Sequence, residues 1–135
     1  MKKTFLLDTC TCVFLLRGKY NIGQYLDSIG WSKCCISEIT ETELLYGAFC
    51  SGRNMQKELE SLKRLFSRIE IIPFNVGKRQ YAEEKAKLRF SGLIVDDFDL
   101  LIGSTAKVLN LTLITDNIKH FSRIEGLNVE NWVKR

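Results

Sequence analysis

The sequence predicts an α/β fold, a three-layer α/β/α domain whose central sheet is mostly parallel and flanked by helices. Short apolar runs alternate along the chain with longer amphipathic runs, and few tight hairpin turns separate them. Strands that alternate with helices need crossover connections, which favour parallel pairing. The chain has 135 residues, 45% of them hydrophobic, which is enough for one continuous core and too little for two. We therefore expect residues 1–135 to form a single domain.

The first half of the chain contains two short apolar runs and three runs with helical character. The apolar runs have the length of buried strands. Gly18 and Gly30 each follow a helical run, and Ser37 is a suitable N-cap for the next one. We expect strands over 5–7 and 33–36 and helices over 11–16, 21–29 and 38–50.

The second half begins with a strongly amphipathic run whose apolar side includes Leu62 and Leu65. Asn75 and Asp96 are suitable N-caps for two further helices, and Gly92 ends the first of these. We expect helices over 54–68, 76–89 and 97–109 and strands over 70–74, 111–115 and 128–130.

The composition excludes several classes of protein. The five cysteines are odd in number and have no C-x-x-C spacing, so we expect free thiols rather than disulfides or a zinc site. The single histidine, His120, argues against histidine-based RNA cleavage. The apolar N-terminal stretch stops at Asp8 without a small-residue cleavage site, and no run is long enough to cross a bilayer. We expect a cytosolic protein with no membrane partner.

Two aspartates directly follow apolar strands. Asp8 comes after the strand at 5–7, and Asp116 comes after the strand at 111–115. In parallel α/β sheets, ligands bind at the carboxyl ends of the strands, where both residues are expected. Either aspartate is also a suitable cap for a following helix, and for one of them alone this alternative stays open.

Two further acids are predicted to turn inward from helices. Glu43 shares a helical face with Ile39 and Gly47, and Asp99 shares one with Ile102, Gly103 and Ala106. A position near a helix N-terminus gains about 0.3–1 kcal/mol from the helix dipole. Burying an unpaired charge costs several kcal/mol, so these carboxylates need a partner.

A divalent cation is the partner that the sequence favours. No Lys or Arg lies beside Asp8, Glu43 or Asp116 in the apolar segments, and clustered carboxylates repel one another. Oxygen ligands without Cys or His favour a hard ion, Mg²⁺ or Mn²⁺, and such a site suits phosphoryl chemistry with metal-activated water. The net charge of +4 is a weak indication of nucleic acid, which strengthens if four acids are gathered in one place.

These residues resemble the motifs of a known family, the PIN-domain toxins of the VapC type. The resemblance spans essentially the whole chain, with the motifs in the family's order and spacing. Each motif is weak alone, whereas five in order are specific. They are LLDTC at 6–10, ISEIT leading into ELLYGA at 36–48, DLLIG at 99–103, TDN followed by HF at 115–121, and GLNVENW at 126–132.

The resemblance implies a PIN-like fold and an Mg²⁺- or Mn²⁺-dependent endoribonuclease. The VapC type is the toxin half of a type II toxin–antitoxin pair; it cuts structured RNA such as tRNA, forms a homodimer and is inhibited by a VapB-type antitoxin. Thr9 and Thr115 match supporting hydroxyl positions. The catalytic and metal-binding positions carried over are Asp8 and Asp99 as principal ligands, with Glu43 and Asp116 completing the shell.

The sequence departs from the family pattern at Cys10, where many relatives carry Asn, and at Gly103, where they carry Ala. Asp96 and Asp97 crowd Asp99, which we prefer because it directly precedes the apolar run. Two other functions use acids at strand ends, an aspartyl-phosphate-forming hydrolase and a receiver-like signalling module. Both need a suitably placed Lys, and none appears after Asp116 until residue 119.

Overall fold

A parallel sheet of five strands forms the centre of the structure. The computed structural model describes residues 2–135. Every neighbouring pair of strands is parallel, which confirms the predicted α/β class. The strands are Phe5–Leu7 (β1), Cys34–Ser37 (β2), Glu70–Ile72 (β3), Thr112–Ile114 (β4) and Val129–Glu130 (β5), in the spatial order β3-β2-β1-β4-β5.

Helices connect these strands. No helix within residues 2–135 combines the length and the apolar character needed to cross a membrane. The helices are Thr9–Leu16 (α1), Ile22–Ile29 (α2), Glu38–Phe49 (α3), Met55–Arg68 (α4), Lys78–Phe90 (α5), Asp97–Val108 (α6) and Ile118–Phe121 (α7).

The sheet separates two hydrophobic cores. Successive side chains of a strand point to opposite faces, so Leu6 of β1 enters one core and Leu7 enters the other. Helices α1 to α4 cover the Leu7 face, and helices α5 to α7 cover the Leu6 face. The three predicted layers are therefore present.

The element boundaries differ from prediction at a few places. Strand β3 ends before Pro73, which has no N–H to donate to a ladder. Asn75 does not cap α5, because Phe74–Val76 forms a 3₁₀ turn and α5 begins after Gly77. A Cβ at Gly77 would clash with Oγ1 of Thr105 on α6, so the residue before α5 has to be glycine. Helix α7 was not predicted, since four residues are too few to show a period.

Candidate active site

Asp8 and Asp116 lie at the carboxyl ends of the adjacent strands β1 and β4, as predicted. The backbone N–H of Asp8 donates to the carbonyl of Ile114, at 3.0 Å, so Asp8 continues the pairing of the two strands. Asp8 is only 4% exposed. The sheet therefore places a buried carboxylate at the edge where α/β proteins bind ligands.

Asp8 is held by neutral donors. Its Oδ1 accepts from the backbone N–H of Thr11 at 2.9 Å, so it caps α1 and starts that helix two residues earlier than predicted. The Cys10 thiol donates to the same carboxylate, with Sγ at 3.1 and 3.2 Å from its two oxygens. Burial and the charge of Asp8 raise the pKa of Cys10 to about 12, so this thiol stays protonated. Asp8 therefore caps α1, but neither of these donors carries a positive charge.

Glu43 lies at the edge of the buried face of α3. The prediction that this face contains Ile39 and Gly47 is wrong. The buried face consists of Thr40, Leu44 and Ala48, because α3 packs against both α1 and α4. Glu43 is half-buried, and its Oε1 accepts a 2.6 Å hydrogen bond from the Thr9 hydroxyl. The hydroxyl oxygens of Thr9 and Thr40 are 3.1 Å apart. A hydroxyl beside Asp8 therefore links α1 to Glu43.

Asp99 lies on the predicted face of α6, above the buried Ile102, Gly103 and Ala106. A Cβ at Gly103 would lie 2.6 Å from Cδ1 of Ile124, so glycine permits the close packing of this face. The neighbouring acids have other partners: Asp96 accepts from the N–H of Phe98 as the N-cap, and Asp97 binds Lys85 and Tyr81. Asp99 is thus the aspartate of this group that faces the site.

The pKa of Asp99 shows which neighbouring charged groups influence its ionisation. It is raised to about 6, first because burial disfavours the charged form. His120 opposes this rise, with Nδ1 3.2 Å from Asp99 Oδ2, whereas the charges of Asp96, Glu43 and Asp8 add to it. The structure therefore brings Asp8, Glu43 and Asp99 into one electrostatically coupled group.

Asp116 has a different environment. Arg135 donates to both of its carboxylate oxygens, at 2.9 and 2.8 Å, and the Asn131 side-chain amide donates to Oδ1 at 3.0 Å. The hydrogen bonds from Arg135 and then Asn131 lower the pKa of Asp116 to about 2. The expectation that no basic residue partners Asp116 is wrong, because Arg135 reaches it from beyond β5.

Sequence reasoning missed three residues at this site. His120 belongs to the family motif at 115–121 but was assigned no role at the site, yet it contacts Asp99, and its Nδ1 is also 3.1 Å from the Asn117 amide nitrogen. Arg135 and Asn131 were not singled out. The available signals were the family motifs at 115–121 and 126–132, which contain His120 and Asn131, whereas nothing local in the sequence connects Arg135 to Asp116.

The chemistry of the donors fits a hard divalent cation. Asp8, Glu43 and Asp99 offer carboxylate oxygens, and the raised pKa of Asp99 reflects burial among like charges, which a cation relieves. As arranged in residues 2–135, no three His, Cys, Asp or Glu side chains stand close enough together to hold one ion. Each carboxylate instead contacts a nearby donor, so binding an ion requires side-chain rotation. All five cysteines are free, as predicted, with Cys50 exposed.

The sequence matches the family model for the PIN domain over residues 5–127. The chain belongs to the PIN domain family. Ribonuclease VapC2 of Rickettsia felis is 38% identical to it over 135 residues, which cover 96% of the chain and 98% of the relative. The tRNA(fMet)-specific endonuclease VapC of Salmonella typhimurium is 31% identical over 129 residues, 95% and 97% of the two chains. The predictions of a PIN domain, a VapC-type toxin and a ribonuclease are thereby confirmed.

Solved structures agree with this PIN domain assignment. The DNA-bound VapBC complex from Salmonella typhimurium superposes with a TM-score of 0.90 at 30% identity, covering 96% of this chain and 98% of that one. VapBC2 from Rickettsia felis, bound to a promoter DNA fragment, superposes with a TM-score of 0.86 at 34% identity, covering 98% and 99%. These relatives favour the ribonuclease over the phosphatase and receiver alternatives.

Proposed function

We propose that this protein is the toxin of a type II toxin–antitoxin pair, a cytoplasmic Mg²⁺- or Mn²⁺-dependent endoribonuclease formed by a single PIN domain over residues 1–135. One observation carries the proposal: Asp8, Glu43 and Asp99 come from separate elements, the hydroxyl of Thr9 beside Asp8 binds Glu43, and the charges of Glu43 and Asp8 both raise the pKa of Asp99. Such an arrangement is costly for the fold and useful for holding a cation.

The side chains have distinct roles in this proposal. Asp8 and Asp99 are the principal metal ligands, and Glu43, oriented by the Thr9 hydroxyl, completes the group. A bound divalent ion supplies a lowered pKa for water and charge stabilisation at the phosphate. Asp116 is the fourth acidic residue of the proposed site and lies at its edge, where it binds Arg135.

The proposed substrate is structured RNA, with tRNA as the first candidate. The relative from Salmonella typhimurium is described as specific for tRNA(fMet). This chain has a net charge of +4 even though several of its acids are gathered at the site, so the rest of its surface favours a polyanion.

Replacing Asp8 by Asn tests the assignment. Asn is as good a helix N-cap as Asp, so the variant keeps α1 while removing the charge. We expect the rate of RNA cleavage to fall by more than about 100-fold. Replacing a residue that only supports a metal ligand already lowers metal affinity or activity by about 10–100-fold. Cleavage of a panel of RNAs is measured in Mg²⁺ and in EDTA.

The matched control is Asp27→Asn, an exposed aspartate on α2. It should cleave RNA at the wild-type rate. A folded Asp8→Asn variant with full activity, or wild-type cleavage that persists in EDTA, would refute the metal-dependent mechanism.

A pocket beside the site supports the proposed VapB-type antitoxin partner. The pocket has a volume of about 250 Å³ and opens next to Thr9 and Glu43. Its walls combine apolar side chains, such as Leu16 and Leu62, with the acid Glu58. Such a surface fits an amphipathic segment that carries basic residues. Co-purification with the antitoxin encoded beside the gene should be lost on Leu16→Asp, with RNA cleavage by the free toxin retained.

Exposed apolar side chains support the proposed homodimer. Phe90 is 87% exposed and Ile94 is 79% exposed at the turn between α5 and α6, with Leu93 and Phe98 beside them. A contiguous patch of this kind marks an interaction surface. Ile94→Asp should give a monomer in sedimentation analysis, whereas Val108→Asp, at the other end of α6, should not. A monomeric wild-type protein would contradict the proposal.

A further inference from the structure

Arg135 is held in place from two sides while most of it faces solvent. Its guanidinium binds both oxygens of Asp116 and lies 5.4 Å from the centre of the Tyr20 ring. The side chain is nevertheless 60% exposed. An exposed arginine usually samples many rotamers, and these two contacts restrict the rotamers of Arg135.

The segment that carries Arg135 is anchored in the core. Trp132 is 3% exposed, stacks on Tyr25 at 5.4 Å and meets Phe5 edge-on at 5.5 Å. Asn131 donates to Asp116 and accepts from the backbone N–H of Val133 at 2.9 Å, which ties the segment to the end of β4. Arg135 is thus presented from a fixed base.

The backbone at Tyr20, the second residue that contacts the Arg135 guanidinium, has an unusual conformation. Tyr20 and Asn21 both have φ of +57°, a left-handed conformation that is uncommon for a bulky residue. The Tyr20 ring is fixed by an edge-on contact with Phe14 at 4.9 Å. Conformations of this kind cost about 1–3 kcal/mol and cluster at functional sites. Here the strained turn places an aromatic ring against the arginine.

The guanidinium keeps donors available for a second anion. Arginine has five N–H groups; the pair with Asp116 uses two of them, one on each terminal nitrogen, and the Tyr20 side chain also interacts with the guanidinium. The N–H groups that neither residue engages remain for a further acceptor. A planar fork of this kind matches the oxygens of a phosphate.

The acidic side chains near Arg135 indicate what its positive charge can do. Asp116 comes close to Asp8 because the two residues follow adjacent strands, and the Cys10 thiol that donates to Asp8 also interacts with the backbone of Asp116. The negative charges of the group formed by Asp8, Glu43 and Asp99 repel the phosphates of an approaching RNA. Arg135 neutralises Asp116 and adds directed N–H donors at the rim of the group. A phosphate bound there would lie beside the carboxylates.

We propose that Arg135 is a substrate-binding residue that holds a backbone phosphate of the RNA, and that Asp116 and Tyr20 are the positioning residues that orient it. This inference rests on the proposed ribonuclease function and refines the role of Asp116 within it. It predicts a phosphate contact that forms with or without metal.

The test measures RNA binding in EDTA, where no cleavage occurs, as a function of salt concentration. Each phosphate contact contributes about 0.7 to the slope of log K against log salt for a single strand and about 0.9 for a duplex. Arg135→Gln should reduce the slope by about that amount and weaken binding. Arg135→Lys should keep the slope, because the charge remains, but bind about two- to five-fold more weakly, because the fork is lost.

The matched control is Arg64→Gln, which removes the same charge from an exposed site on α4, where Arg64 donates to Ser61 of its own helix. It should leave the slope unchanged. Circular dichroism establishes that each variant is folded.

A wild-type slope in folded Arg135→Gln would overturn the inference, and tighter Mn²⁺ binding by that variant would then identify Arg135 as an internal counter-ion of Asp116. The proposed function fails separately, if the wild-type protein does not cleave RNA in Mg²⁺.

Discussion

Glu84 and Asp8 are both buried carboxylates, and the structure stabilises them in opposite ways. Glu84, on α5, is 2% exposed, forms an ion pair with Lys107 of α6 and accepts from the Gln80 amide at 2.8 Å. Asp8 is 4% exposed and accepts from a backbone N–H and a thiol. One carboxylate has a dedicated cation and the other does not.

Under the proposed function, the difference separates a structural carboxylate from a metal-binding one. Lys107 also donates to the carbonyl of Glu125, at 2.6 Å, so the Glu84 pair joins α5, α6 and the loop before β5. At the candidate site, Asp8 and Glu43 accept from neutral donors, and Asp99 contacts His120 rather than a Lys or Arg. Under the proposed function, a divalent cation balances the charge of these carboxylates and allows an anionic substrate to approach. The predictions below test this contrast.

The largest expected effect is on stability, from Lys107→Met. Removing Lys107 leaves Glu84 charged and buried, which costs about 3–5 kcal/mol of unfolding free energy. Lys87 is 3.9 Å from Glu84, so we expect the lower end of that range. Urea unfolding measures the loss, and RNA cleavage should be retained at a temperature where the variant is folded.

A second variant makes this prediction specific. Replacing both partners, Glu84→Leu with Lys107→Met, should recover most of the lost stability, because no buried charge remains. If the double variant is as unstable as the single one, the ion pair is not the cause. Lys57→Met, at an exposed position on α4, controls for the loss of a charge.

The next effect is stabilisation by metal at the site. Binding of Mg²⁺ or Mn²⁺ to the folded state should raise the unfolding free energy by about 2.7 kcal/mol at a concentration 100 times Kd. Thermal unfolding in Mn²⁺ and in EDTA measures it. Asp99→Asn should lose the increase, whereas Glu84→Gln, where it folds, should keep it. An equal increase in Asp99→Asn would show that the ion binds elsewhere.

The smallest effect is a pH dependence in the metal-free protein. The pKa of Asp99 is raised from 3.8 to about 6 in the folded state, so the folded protein binds more protons than the unfolded chain between these values. Stability from this group is therefore present at low pH and decreases as pH rises from about 4 to about 6. A loss of about 1–2 kcal/mol is expected, allowing for the partial exposure of the side chain.

Unfolding curves in EDTA across this pH range, for wild type and Asp99→Asn, isolate that contribution. The variant should have the flatter profile. Identical profiles would mean that Asp99 is not the group that titrates, and the contrast with Glu84 would lose its electrostatic basis.

Local pattern determined much of the fold. The apolar run at 5–7 became β1, and Ser37 and Asp96 cap α3 and α6 as predicted, since capping and strand formation depend on neighbouring residues. The start of α5 was predicted wrongly because Asn75 lies in a 3₁₀ turn and Gly77, directly before the helix, packs against Thr105 of another helix.

The sequence by itself determined the α/β class, the family and the location of Asp8 and Asp116 at strand ends, because these follow from periodicity and motif order. Tertiary structure alone decided how each acid is balanced. In the packed structure, Glu43 lies at the edge of the buried face of α3. His120 contacts Asp99, and Arg135 contacts Asp116. The reason is physical: electrostatic partners are set by distance in space, and residues 19 or 21 positions apart meet here only after the sheet and helices have packed.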